Sequence, residues 1–213
     1  MVSASLLALF VGQASKVRMT IGAVGFAGYF LIAGLGLVAL SGGTSLFGGM
    51  IARMSGDYAK EPVHDLHGLK ADWKLTAPGD EWRLRSDASA KKDNPIVDRW
   101  ISRPDLDAHV LIIAEQVPGK TIPIEAYTDA ILQSGAKAGT DFKILERKKL
   151  EGRTDARFVH TTSTIKGLKI EHYYGLFTTG DRAYQVVAFA AQGTFPKVSD
   201  ELRQIIESFQ PAP

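Results

Sequence analysis

Residues 168–191 read LKIEHYYGLFTTGDRAYQVVAFAA, two runs rich in β-branched and aromatic side chains parted by Gly180-Asp181. A two-residue connection that offers glycine where φ must be positive turns a chain back on itself as a β-hairpin. The pairing register follows from the turn. Thr179 faces Arg182, Phe177 faces Tyr184 and His172 faces Phe189, and the aromatic pair in the middle contributes ~0.2–1 kcal/mol. A second such turn, Lys166-Gly167, sets Ile165 opposite Leu168 and His172 opposite Thr161. Together with 141–150 and 155–165 these segments predict a four-strand antiparallel meander.

Outward from the meander, residues 195–209 place Phe195, Val198, Leu202, Ile205, Ile206 and Phe209 on one stripe, which predicts a terminal helix lying on the sheet. Upstream, PIEAYTDAILQSGAKA at 123–138 opens with proline where its missing N–H costs least, and Ile124, Tyr127 and Ile131 share a face. Before that helix, AHVLIIAEQV at 108–117 is apolar enough for a central strand buried on both sides. Short strands are expected at 73–77 and 82–85 around the Pro78-Gly79 turn signal, and a further one includes Trp100. About 145 residues in this order suffice for one α+β domain over 68–213.

The Ala77-Pro78 turn followed by Trp82, the Gly180-Asp181-Arg182-Ala183-Tyr184 hairpin and the final Leu202 to Ser208-Phe209 helix resemble the PsbP-type domain, an α/β/α sandwich, over roughly residues 69–210. The resemblance implies a non-catalytic module, since relatives include extrinsic subunits of an oxygen-evolving photosystem, assembly factors and bacterial lipoproteins. It supplies no metal-binding or partner-binding residues that match here.

The amino-terminal part has a different character. TIGAVGFAGYFLIAGLGLVAL at 20–40 carries no charge, and as a helix rising about 1.5 Å per residue it spans ~30 Å, the thickness of a bilayer's hydrocarbon core. A cleaved signal has a shorter apolar region placed nearer the start, and a buried soluble helix seldom stays uncharged on every face for so long. GLGLVA at 34–39 matches a dinucleotide fingerprint, but that motif has meaning only between a strand and a helix start.

Lys16 and Arg18 precede the span, whereas the stretch just after it carries only Arg53. The bias expects a cytoplasmic amino end and, in a bacterium, a periplasmic domain tethered to the inner membrane in a single pass. Gly22, Gly25, Tyr29, Ile32 and Gly36 share a helix face on which a partner helix could dock closely; glycine is also simply common in membrane helices. Residues 1–19 form an apolar amino-terminal segment. Residues 41–67 read as a tether, with a short interfacial helix expected around 46–54.

Composition narrows the chemistry. The absence of cysteine removes disulfides, thiolate metal sites and cysteine nucleophiles. From Gly68 onward 21 Lys or Arg stand against 20 Asp or Glu. With no cationic cluster beyond Arg147, Lys148 and Lys149, which a solvated strand edge explains, nucleic acid is not an expected partner.

Individual motifs are weak. His64, Asp65 and His67 could hold a metal on a helical turn but lack a third ligand and its support. Gly119-Lys120-Thr121 lacks the first glycine of a phosphate loop, and a turn accounts for it. Asp105 and Asp107 flank a turn and suit local backbone bonding, while Glu171 with Lys169 and Tyr173 suits a solvated strand face. Of the near-neutral bases, His160 and His172 fall on opposite faces of the sheet and cannot share a site, and His172 reads as a core histidine with a satisfied hydrogen bond. Tyr173, Phe177 and Tyr184 could make a ligand platform, but ordinary core composition favours a packing surface for a helix.

No catalytic, cofactor-binding or metal-ligating set emerges, and no cofactor or small-molecule substrate is expected. The expectation is a non-enzymatic accessory or assembly subunit of an integral membrane protein complex, held by the bilayer and by its outer domain. The alternative is a membrane-tethered ligand sensor or enzyme with an unrecognised pocket.

Overall fold

The computed structural model describes residues 58–212. In chain order they form β1 (Tyr58–Pro62), β2 (Asp65–His67), β3 (Trp73–Thr76), β4 (Arg83–Arg85), α1 (Asp87–Asp93), β5 (Val97–Arg103), β6 (Ala108–Gln116), α2 (Ile124–Ala138), β7 (Thr140–Lys149), β8 (Ala156–Ile165), β9 (Leu168–Thr179), β10 (Arg182–Ala191), α3 (Ser199–Ser208) and β11 (Gln210–Pro211). Eight strands make one antiparallel sheet in the order β1-β4-β5-β6-β10-β9-β8-β7, and β11-β3-β2 make a smaller one.

The register of the meander is the one its turns dictate. Thr179 pairs with Arg182, Phe177 with Tyr184 and His172 with Phe189, while Ile165 pairs with Leu168 and His172 with Thr161. Lys166 and Gly167 have φ of 51° and 82°, the two left-handed residues of a type I′ turn, and Gly180 has φ of 56°, the glycine-first pattern of type II′. Strand β6 is buried on both faces along most of its length, as its apolar run demands, between β5 and β10.

Two cores lie on the two faces of the large sheet. One gathers Trp73, Trp82, Phe177, Tyr184, Leu202, Ile206 and Phe209 beneath α3 and the small sheet. The other gathers Trp100, Leu111, Ile131, Val159, Tyr174 and Leu176 beneath α1 and α2. Helices and small sheet therefore sandwich the large sheet, and burying both faces is what lets β6, β9 and β10 carry continuous apolar sequence.

Three expectations need correction, and one short helix was not expected. The domain reaches upstream of Gly68 and includes Tyr58–Pro62 and Asp65–His67, because β1 pairs with β4 and β2 pairs with β3; the end of the expected tether is part of the domain. HDLH lies in and beside a strand, so His64 and His67 do not share a helical turn. Residues 195–209 form a 3₁₀ turn, Phe195–Lys197, and then α3, with the break at Val198 (φ −129°, ψ −5°). Phe195 is held against Tyr173 at 4.8 Å. Helix α1, capped by Ser86 and burying only Ala90, is too short to show a periodic stripe.

The expected membrane span, its glycine-rich face and the interfacial helix at 46–54 lie outside the described residues. Among the described residues no helix is long and apolar enough to cross a membrane.

Gly175 on β9 marks the closest approach of α3 to the sheet, since a Cβ there would sit 2.6 Å from the Ile206 Cγ2 methyl and 3.0 Å from Phe177. Gly175→Val is expected to cost about 2 kcal/mol through overpacking. A urea midpoint reads this directly, and Ile206→Ala should cost less in this variant than in the native chain; an unchanged midpoint would show that α3 has room to move.

Candidate functional site

The polar groups with chemical potential lie inside the sandwich. Across β5 and β6, Ser102 Oγ stands 2.9 Å from His109 Nδ1, and His109 Nε2 stands 3.1 Å from Asp107 Oδ1. Trp100 Nε1 also points at Nδ1, at 3.4 Å. A serine, a histidine and a carboxylate in sequence contact are the components of an acyl-transfer triad. Yet the Ser102 side chain is 0% exposed, so no scissile carbonyl can reach its hydroxyl, and the trio ties β5 to β6. Asp107 was expected to bond only its local backbone; its φ of 50° does place it in a turn, but its carboxylate holds the imidazole two residues on.

On the α3 face, His160 Nε2 lies 3.0 Å from Glu171 Oε2. The ring stacks on Phe195 at 5.5 Å and meets the edge of Tyr173 at 4.8 Å. Glu171 is therefore not on a solvated face: its side chain is 14% exposed and engaged with His160, while Tyr173 is buried. Tyr173, Phe177 and Tyr184 form the expected packing surface, with Phe209 4.7 Å from Phe177 and 5.5 Å from Tyr184.

His172 lies on the other face, as the register requires. It is buried as expected, but neither ring nitrogen has a hydrogen-bond partner, and the same holds for Oγ1 of Thr161 opposite it. Burial, with a smaller contribution from the charge of His160, pulls its pKa down to about 3. An imidazole so placed is neutral and cannot act as a base toward anything outside the core.

Under the first turns of α2 sits a cluster that the sequence did not disclose. Glu115 Oε2 accepts from the Tyr127 hydroxyl and from Gln185 Nε2 at 3.2 Å, leaving Glu115 Oε1 and Gln185 Oε1 without partners. Burial holds the Glu115 carboxyl above its usual range against those two hydrogen bonds. Beside it, buried Arg157 donates through Nε to Glu125 Oε1 at 2.7 Å, and Arg147 reaches Glu125 Oε2, also at 2.7 Å. Those hydrogen bonds, from Arg157 first, hold the Glu125 carboxyl below its usual range. The only sign in the sequence is a carboxylate, Glu115, closing the apolar run at 108–117.

Arg147, Lys148 and Lys149 lie on β7, the outer strand of the large sheet. Gly119 and Lys120 belong to the turn Val117–Lys120, closed by the Lys120 amide on the Val117 carbonyl at 3.2 Å, with Gly119 at φ 72°. An open hollow of about 300 Å³ between Tyr58, Leu84, Arg85 and Arg99 offers little charge to a ligand, because Arg85 pairs with Asp93 and Arg99 with Asp87. Among the described residues no group of His, Asp and Glu is placed to hold a metal ion.

No family model matches the chain, and no curated protein matches it. Solved structures do. The cyanobacterial PsbP (CyanoP) of Synechocystis superposes with a TM-score of 0.51 at 11% identity, covering 71% of this chain and 93% of that one. The Ran-binding protein Mog1p of Saccharomyces cerevisiae gives 0.51 at 9% identity, covering 71% and 96%. At such identities the likeness is one of fold alone, and residues 58–212 have the PsbP/Mog1-like α+β fold.

Proposed function

We propose that this chain is a membrane-anchored accessory or assembly subunit, non-catalytic, whose folded domain meets a partner protein on the far side of the inner membrane from its amino end. The observation that carries the reading is where the reactive groups sit: Ser102 and His172 are sealed in the core and His160 is committed to Glu171. Groups so enclosed reach no substrate, which leaves the surface for contact, and a fold by itself specifies no chemistry. Mog1p, of like fold, is a Ran-binding protein, which supports a protein partner for this domain.

The uncharged run at 20–40 supplies the anchor, and Lys16 and Arg18 before it supply the orientation. Gly22, Gly25 and Gly36 give that helix a face on which a partner helix can pack. Gly25→Leu is expected to release the chain from its complex while leaving it in the membrane fraction, read by co-purification from solubilised membranes. Undiminished co-purification rules out that face as the docking surface.

A further inference from the structure

Strand β7 ends the large sheet with ten residues, TDFKILERKK, and among the described residues no strand lies along its outer backbone edge. Exposed sheet edges recruit other strands unless something prevents it, and lysines and bulges are the usual deterrents. β7 has both, and they are arranged in a particular way. Ile144 pairs with Thr161 and Glu146 with His160, so Leu145 is an extra residue in a β-bulge.

In a regular strand residues three apart point to opposite faces. The bulge changes this: Lys143 pairs with Thr162 and Glu146 with His160, two residues apart on β8, so Lys143 and Glu146 share the α3 face. Phe142, packed near Gly135 of α2, and Arg147, bonded to Asp129 of α2, share the other. The strand thereby becomes complementary to itself about a twofold axis between Ile144 and Leu145.

An antiparallel copy on that axis sets Lys143 against Glu146, Phe142 against Arg147 and Ile144 against Leu145, while a second irregularity between Thr140 and Lys143, where Asp141 has φ of 53°, takes Asp141 out of the regular register. Opposite charges meet at both symmetry-related Lys143–Glu146 positions and like charges at none. Sliding by two residues in one direction brings Lys143 against Lys148. At the centre lie Ile144 and Leu145, 49% and 53% exposed, two of the few large apolar side chains the domain leaves in water.

We infer that β7 is a self-association edge, on which a second copy of this chain pairs antiparallel to join the two large sheets. The interface is isologous, as a twofold contact must be, and its register is set by the charge pattern and the bulge.

The chain has no cysteine, so introduced thiols report without background. Full-length copies carrying Ile144→Cys, co-expressed with differently tagged copies carrying Leu145→Cys and oxidised in their membranes, are expected to give a covalent dimer bearing both tags. Adding Lys143→Glu to both copies puts two like-charge pairs across the axis and should cut the yield about tenfold. Placing Lys143→Glu in one copy and Glu146→Lys in the other restores both pairs and should restore the yield. Melting temperatures of the single variants verify that each still folds. Absence of the mixed dimer, a yield indifferent to these charges, or a loss that the mixed pair does not repair overturns the proposal. This outcome is independent of whether the chain joins a larger complex.

Discussion

Asp98→Ala is expected to remove about 4 kcal/mol of stability, the largest effect of any single substitution considered, because it strips a buried carboxylate from three donors at once. Asp98 Oδ1 accepts from the Leu69 and Lys70 amides at 3.0 and 2.9 Å, and Oδ2 accepts from Trp73 Nε1 at 2.7 Å. Asp98 is 2% exposed and Trp73 1% exposed, so water cannot replace the acceptor of the indole, whereas the Leu69 and Lys70 amides belong to an exposed loop. Lys70 Nζ, folded back by the same loop, donates to the Ile96 and Val97 carbonyls at 3.0 and 2.9 Å. The carboxylate thus joins the strand β5 of the large sheet to the loop that enters the small one, and Trp73 carries the connection on to Phe209, 5.6 Å away.

Asp98→Asn should cost less, because the amide keeps one acceptor oxygen but turns an N–H₂ toward donors. Urea unfolding followed by tryptophan fluorescence measures both variants, and a loss of about 4 kcal/mol lowers the melting temperature by roughly 10 °C in a domain of this size. A loss below about 1 kcal/mol for the alanine variant would mean that the three donors find other acceptors and that the two sheets are held together elsewhere.

The second large effect appears on acidification. His172 has a folded pKa pulled down from 6.5 to about 3, so between those values the unfolded chain holds a proton that the folded one refuses. The stability its neutral form permits is complete above pH 6.5 and declines as the pH falls toward 3, by on the order of 4 kcal/mol across the window and about 2 kcal/mol by pH 5. Glu115 acts in the opposite sense. Its raised carboxyl binds a proton more readily when folded, so its contribution is present below 4.5 and is lost as the pH climbs through the folded value. His172→Phe removes the two unpartnered nitrogens among Tyr174, Thr161 and Phe189 and should flatten the acid slope of the urea midpoint between pH 7.5 and 5. A slope that survives the substitution would assign acid sensitivity to another group.

The sequence disclosed the parts of this fold that obey local rules. The β8–β9–β10 register was legible because two short glycine-bearing turns left the period-two pattern no freedom to slip. Helix α2 and the stripe of α3 were legible because apolar residues recur at helical spacing over several turns. Strands β1, β2 and β11 and helix α1 were not, since two to seven residues carry too little periodicity, and what orders them is distant: β1 is held by β4, and β11 by β3. The neighbourhood of β6 and β10 was equally hidden, a pairing between residues such as Glu115 and Gln185 that lie 70 apart.

The same division holds for the polar groups. That His160 and His172 occupy opposite faces followed from the turn at Lys166-Gly167 alone. The partners of His109, the clamp at Asp98 and the cluster at Glu115 did not, because each joins strands or loops whose adjacency is set by the whole sheet. His172 lacks the hydrogen bond a buried histidine ordinarily has, and no local pattern distinguishes a satisfied core histidine from an orphaned one.

The central claim is that this chain works as part of a larger membrane assembly, and native electrophoresis of gently solubilised membranes tests it most directly. The full chain of 23.1 kDa is expected in the membrane fraction, migrating within a complex several times heavier than a dimer of itself. Recovery in the soluble fraction, or migration as a free species whose melting temperature shifts with small ligands, would contradict it.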